Sequence, residues 1–144
     1  MRTAVSELAN QGFGVALIGG PGVEKFNRSV AATNPERIRA FNTSADVRAL
    51  FALISGFDLL VTGDTLAMHA AWALSTPIVA LFGPTSLAEI DLAPGDVKLA
   101  ASQLPCLGCY LHTCSVDPHC MDLLTPDLVL DAVLERLNSK KTCA

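Results

Sequence analysis

An α/β fold with a Rossmann-like, doubly wound parallel sheet is predicted for this 144-residue chain by three observations. Short apolar runs alternate with helix-length segments along the chain. Apolar residues make up 51% and charged residues only 17%, which suits strands covered by helices on both faces. Three of the runs also stop at glycine, in Gly19-Gly20-Pro21-Gly22, Gly63-Asp64-Thr65 and Gly83-Pro84-Thr85-Ser86. Glycine lets a ligand approach the backbone, and ligands of open parallel sheets lie beyond the carboxyl ends of the strands.

The elements follow in order. Residues 3–11 read as a helix that Gly12 terminates. Residues 13–18 (FGVALI) form a buried strand, and a helix spans about 23–33. Asn34-Pro35 is a turn, and 38–41 a short strand. Thr43-Ser44-Ala45-Asp46 resembles a capping box, with a carboxylate three residues after a hydroxyl, and its helix (VRALFALIS) ends at Gly56. Strand 57–62, a wholly buried helix 65–75 and strand 78–82 come next. A loop covers 83–96, and 97–101 make a last short strand. Thr125 caps the final helix, Pro126 suits its first position, and Leu130, Val133, Leu134 and Leu137 form its apolar stripe.

Chain length matches a single domain with a real core, residues 1–144. Net charge is −4 without a dense basic cluster, so nucleic acid is excluded as a partner. No run approaches the ~18 apolar residues of a membrane span, and the N-terminus lacks a signal-peptide layout. Five cysteines, an odd count without that signal, point to the reducing cytoplasm.

The polar residues at the second glycine break carry the chemistry. Thr65 and His69 are four apart and share a helix face near its positive end. There, histidine can donate to a phosphate or sugar oxygen, while Asp64 accepts from a hydroxyl. Each residue alone reads equally well as a cap or a structural histidine. Three glycine-broken ends on one sheet edge favour a phosphorylated ligand.

GDTLAMHAAWALSTPIVALFGPTS resembles the signature of glycosyltransferase family 9, the bacterial heptosyltransferases of lipopolysaccharide core assembly. The matching features are an Asp-Thr pair, Met-His a few residues on, an Ala-rich helix and a strand ending in Phe-Gly-Pro-Thr. LIGGPGVE and CMDLLTPDLVLDAVLERL resemble flanking parts of the same family, so the likeness covers nearly the whole chain. Members have two Rossmann-like lobes (GT-B type), and this chain resembles the C-terminal, donor-binding lobe. The resemblance implies that Glu24 bonds the nucleotide ribose. It implies that Gly63, Asp64, Thr65 and His69, with backbone at Leu66 and Ala67, hold the diphosphate and donor sugar. Gly83, Pro84 and Thr85 line the far wall.

The implied reaction is inverting glycosyl transfer from a nucleotide-sugar, ADP-linked and heptose-like, to a glycolipid or oligosaccharide acceptor. His69 would stabilise the leaving diphosphate. No cofactor, metal or catalytic base is assigned to this chain. The implied setting is the cytoplasm, at the inner face of the inner membrane, with peripheral membrane contact by the full-length protein.

Two departures stand out. Leu66 replaces a glycine that many members carry. The lobe of other members opens with a strand and a Lys-bearing loop, whereas residues 1–11 match only the helix after that strand. The expectation is therefore a fragment, without the acceptor lobe and inactive alone.

Cys106, Cys109, Cys114 and Cys120 form a separate constellation in the loop 102–124. The first pair has zinc-knuckle spacing, and four thiolates suffice for a tetrahedral zinc or iron–sulfur site. A second Cys-x2-Cys is missing, and free thiols packed near the last helix are the simpler reading. A metal-binding or interaction module centred there is the alternative function. A nicotinamide or flavin domain fits poorly, because GGPG is not G-x-G-x-x-G and only Asn42 stands near the usual acidic position.

Overall fold

Residues 1–43 and 46–141 are described by the computed structural model, the side chains of 140 and 141 excepted. The chain divides into two units, Met1–Leu53 and Ile54–Ala144.

In the first unit, α1 (Arg2–Asn10) ends where Gly12 adopts φ +92 and donates its N–H to Ala9 O at 3.1 Å. This left-handed turn is where glycine carries no Cβ penalty. Strand β1 (Val15–Gly19), helix α2 (Glu24–Ala31) and strand β2 (Ile38–Asn42) follow. β1 and β2 pair in parallel, from Val15 opposite Ile38 to Gly19 opposite Asn42. Val5 and Ala9 of α1, Val30 of α2 and Ile38 of β2 form a buried cluster against which Val15 and Leu17 pack. Gly19 is needed for packing, because a Cβ there would collide with Val23 and crowd Asn27.

Helix α3 (Val47–Ser55) matches the expected span, but its start differs. Asp46 is itself the cap, its Oδ1 accepting from Arg48 N at 2.8 Å and Ala49 N at 3.3 Å. Asp46 thus sits one residue before the helix rather than inside its first turn, and satisfies two otherwise orphaned amides. Ser44 and Ala45 of the expected capping box lie outside the described residues.

The second unit contains β3 (Leu60–Gly63), α4 (Leu66–Ala73), β4 (Ile78–Phe82), β5 (Val97–Ala100) and α5 (Pro126–Lys141). The three strands are parallel in the order β3-β4-β5. All five residues of β4 are buried, and both α4 and α5 pack on it. Phe82, Ile78, Val79 and Met68 are fully buried, and each stabilises the fold by about 1.5–3 kcal/mol. Thr125 Oγ1 accepts from Leu128 N at 3.4 Å, as expected for the cap of α5.

One buried ion pair ties α5 to the sheet. Asp96 Oδ1 accepts from Ile78 N at 3.0 Å and from Arg136 Nε and Nη2 at 3.3 Å each. The Asp96 side chain is 3% exposed.

The expected parallel, helix-flanked architecture is present, its described strands forming two sheets, of two and three strands. β1 and β3 each pair along one edge only among the described residues. β1 is half-buried at all five positions, whereas β4, paired on both edges, is sealed. One expectation is corrected, because α4 is not wholly buried: Met68, Ala70 and Ala71 face the core, while Leu66, His69 and Trp72 are exposed, Trp72 by 56%. Its apolar residues run around the helix, so the sequence carried no polar face to mark the open side.

Candidate functional site

The turn from β3 to α4 gathers the polar residues singled out in the sequence. Gly63 ends β3 with only Leu81 O near its missing Cβ, at 3.7 Å, so the backbone there is uncrowded. Thr65 is the extended N-cap residue of α4, at φ −148 and ψ 172, but its hydroxyl does not cap the helix. Instead Thr65 Oγ1 lies 3.1 Å from Thr62 Oγ1, whose hydroxyl is also 3.1 Å from Gly63 O. The Thr65 carbonyl accepts from Met68 N at 3.0 Å and His69 N at 3.3 Å.

Among the described residues, the amides of Leu66 and Ala67 have no acceptor. A helix start leaves such donors over, at the positive end of the helix dipole. His69 stands one turn on, with Nε2 3.7 Å from Asp64 Oδ1. The imidazole is 58% exposed and the carboxylate 22%. Two unsatisfied amides, a reachable imidazole and a carboxylate suit a ligand bearing both phosphate and hydroxyl groups.

Gly63 lies opposite Leu81 in the ladder, so the loop after β4 leaves the same carboxyl edge of the sheet. This loop begins Gly83-Pro84-Thr85 and contains a 3-10 turn, Leu87–Glu89. Gly83 is buried, and Cys120 Sγ and Met121 Sδ each lie 2.7 Å from where its Cβ would stand. Glycine is thus required there by packing against the chain itself. The cysteine-rich segment also straps the loop: Gly108 N donates to Gly83 O at 3.0 Å and Tyr110 N to Pro84 O at 2.8 Å. Lys98 Nζ holds the far end, donating to Leu87 O at 2.9 Å and Ile90 O at 2.7 Å.

Among the described residues, the cysteines do not converge into the zinc or iron–sulfur site that their spacing allowed. Cys106, Cys109, Cys114 and Cys120 are free thiols, and no group of three His, Cys, Asp or Glu side chains among the described residues is placed to hold a metal. Cys106 and Cys109 flank the segment bonded to Gly83, Cys120 packs on Gly83, and exposed Cys114 points its thiol at Val116 O, 3.8 Å away. Docking against the loop after β4 disperses the thiols.

Glu24 lies in the first unit. Its Oε2 accepts from Gly22 N at 2.9 Å, which folds the Gly20-Pro21-Gly22 turn back on the start of α2. The carboxylate borders a small cleft of about 70 Å³ with Asn27 and Arg28 on one side and Phe41 and Asn42 on the other. Sequence reasoning passed over Asn27, Arg28 and Phe41. The available signal was the i, i+3, i+4 spacing from Glu24, which puts the first two on its helix face.

The family model described as glycosyltransferase family 9 (heptosyltransferase) matches residues 3–119 of this chain. The chain belongs to glycosyltransferase family 9. Its relatives within that family include lipooligosaccharide heptosyltransferase 2 of Haemophilus influenzae, 34% identical over 83 residues, which are 55% of this chain and 24% of that protein. Lipopolysaccharide heptosyltransferase 2 of Salmonella typhimurium is 36% identical over 84 residues, 56% of this chain and 24% of that protein. In backbone, the chain is similar to Escherichia coli ADP-heptose lps heptosyltransferase II, with a TM-score of 0.69 at 21% identity. That likeness covers 97% of this chain and 41% of the solved one. A family 9 glycosyl transferase from Veillonella parvula gives 0.68 at 18% identity, over 96% and 40% of the two chains. At these identities the structures establish the shared α/β fold. The chain therefore spans about a quarter of the curated relatives and two fifths of the solved ones.

Proposed function

We propose that this chain is the donor-binding domain of an inverting glycosyltransferase that acts in lipopolysaccharide or related surface-glycan synthesis. The observation that carries the reading is the start of α4. There the Leu66 and Ala67 amides lie open beside His69 and Asp64, within the stretch that the family model matches. The amides and an imidazole N–H of His69 bind the diphosphate of a nucleotide-sugar, and Asp64 accepts from a hydroxyl of the donor sugar. Asp64 is a poor partner for phosphate itself, because two anions repel at that range. Glu24 accepts from the ribose hydroxyls, and Thr85 and Pro84 line the site at the loop after β4.

As an acceptor hydroxyl, its proton taken by a general base not assigned to these residues, attacks the anomeric carbon, the carbon–oxygen bond to the diphosphate breaks and charge collects on the leaving oxygen. Fixed dipoles aimed at that oxygen lower the barrier without reorganising. ADP-heptose is the donor favoured by the likeness to the Escherichia coli ADP-heptose lps heptosyltransferase II, and a glycolipid or oligosaccharide is the acceptor. Action at the inner face of the inner membrane belongs to the same reading. No described helix is long and apolar enough to cross a membrane.

Titration of the chain with ADP, followed by amide chemical shifts, tests the assignment. Shifts at 63–69 and 83–86, reproduced in part by inorganic pyrophosphate, are expected. Silence of both segments at millimolar ADP overturns it. Glu24→Gln, which keeps the side chain's size, is expected to weaken ADP binding but leave pyrophosphate binding unchanged.

A further inference from the structure

Tyr110 is an unusual residue for the bond-making it does. Its ring is 54% exposed, so core packing does not account for its position. Its backbone is left-handed at φ 53, a conformation unfavourable for a residue with a Cβ. That conformation lets both ends of the residue reach the loop after β4. The Tyr110 N–H donates to Pro84 O at 2.8 Å, while the phenol oxygen accepts from Ser86 N at 3.2 Å and donates to Glu89 Oε2 at 3.0 Å.

These bonds fall on both sides of Thr85 and skip it. Ser86 Oγ is also engaged, accepting from Ala88 N at 3.3 Å. Among the described residues, neither the Thr85 amide nor its hydroxyl has a partner. A loop fastened at residues 84, 86 and 89, with the donors of its middle residue left over, is built to present those donors.

We propose that Tyr110 is a positioning residue that holds Thr85 so that its N–H and hydroxyl donate to a phosphate oxygen of a nucleoside diphosphate. The inference rests on the donor-binding reading and adds a role for the cysteine-rich segment, which clamps the loop in place of holding a metal. The Tyr110 hydroxyl touches no ligand; it acts through Ser86 and Glu89.

Tyr110→Phe keeps the ring and removes only the hydroxyl, and an exposed ring makes the change safe for folding. Hydrogen exchange at Ser86 N–H, measured without ligand, is expected to quicken about tenfold as one ordinary hydrogen bond is lost. The dissociation constant for ADP is expected to rise about threefold to tenfold, the scale of one or two such bonds. Thr85→Ala should weaken ADP binding by a similar factor, and the double variant should fall well short of the product of the two losses, because both act on one contact.

Unchanged Ser86 exchange, unchanged ADP affinity in Tyr110→Phe, or full multiplication of the two losses overturns the proposal and leaves the donor-binding reading standing. Failure of the unsubstituted chain to bind ADP overturns both.

Discussion

His69 and Asp64 approach to 3.7 Å beside two amides that have no acceptor among the described residues. If that group binds a diphosphate, His69→Ala removes one charge-assisted donor. ADP affinity should then fall at least about tenfold, as calorimetry would register. The two glycines nearby make opposite predictions, which shows why a glycine's role cannot be read from its letter. Gly83→Ala must displace Cys120 and Met121, whose sulfurs lie 2.7 Å from the new Cβ, and should cost about 1–3 kcal/mol in urea unfolding. Gly63→Ala meets nothing closer than 3.7 Å, so its stability should stay within about 0.5 kcal/mol of the unsubstituted chain. Any loss of ADP binding in Gly63→Ala then reports ligand approach alone.

At the scale of elements, the turns were more legible than the packing. Thr125 with Pro126, the stop at Gly12 and the span of β4 were plain because they depend on neighbours in sequence: a cap, a left-handed turn, a short apolar run. The open face of α4 was not legible, since LAMHAAWA is apolar on every side and only the sheet decides which side is covered. The strap from Tyr110 to Ser86 links positions 24 apart and leaves no local pattern. Asp96 lies in the loop 83–96 without any local pattern to single it out, yet its buried carboxylate holds the start of β4 to Arg136 on α5. Asp96→Ala leaves a guanidinium unpaired at 15% exposure. It should destabilise the second unit by about 3–5 kcal/mol, followed through Trp72 fluorescence in urea.

For the whole molecule, the sheets carry open edges whose consequence can be measured. β1 pairs only with β2, and β3 only with β4, on one edge each among the described residues. Unpaired edges recruit other strands, so sedimentation should detect association that grows with concentration. Val15 and Leu17 pack on the first unit's cluster, which turns Ala16 to the other face of the strand. Ala16→Lys should therefore reduce association without loosening that cluster, and unchanged association would assign it to another surface. The chain covers 41% of the Escherichia coli structure it resembles, so sugar transfer is a property to be tested on the longer proteins of this family. Nucleotide binding can be tested on these residues directly.

The sequence by itself determined the fold class, the family and the residues at the start of α4, because alternation of apolar runs, glycine stops and the Asp64-Thr65…His69 spacing are all written locally. Only the tertiary structure decided that the four thiols do not converge, that Gly83 is small for the sake of Cys120 and Met121, and that Tyr110 fastens the loop around Thr85. Those contacts join segments far apart in the chain, and which side chains meet there is settled by how helices and loops dock on a sheet, a choice no short stretch of residues encodes.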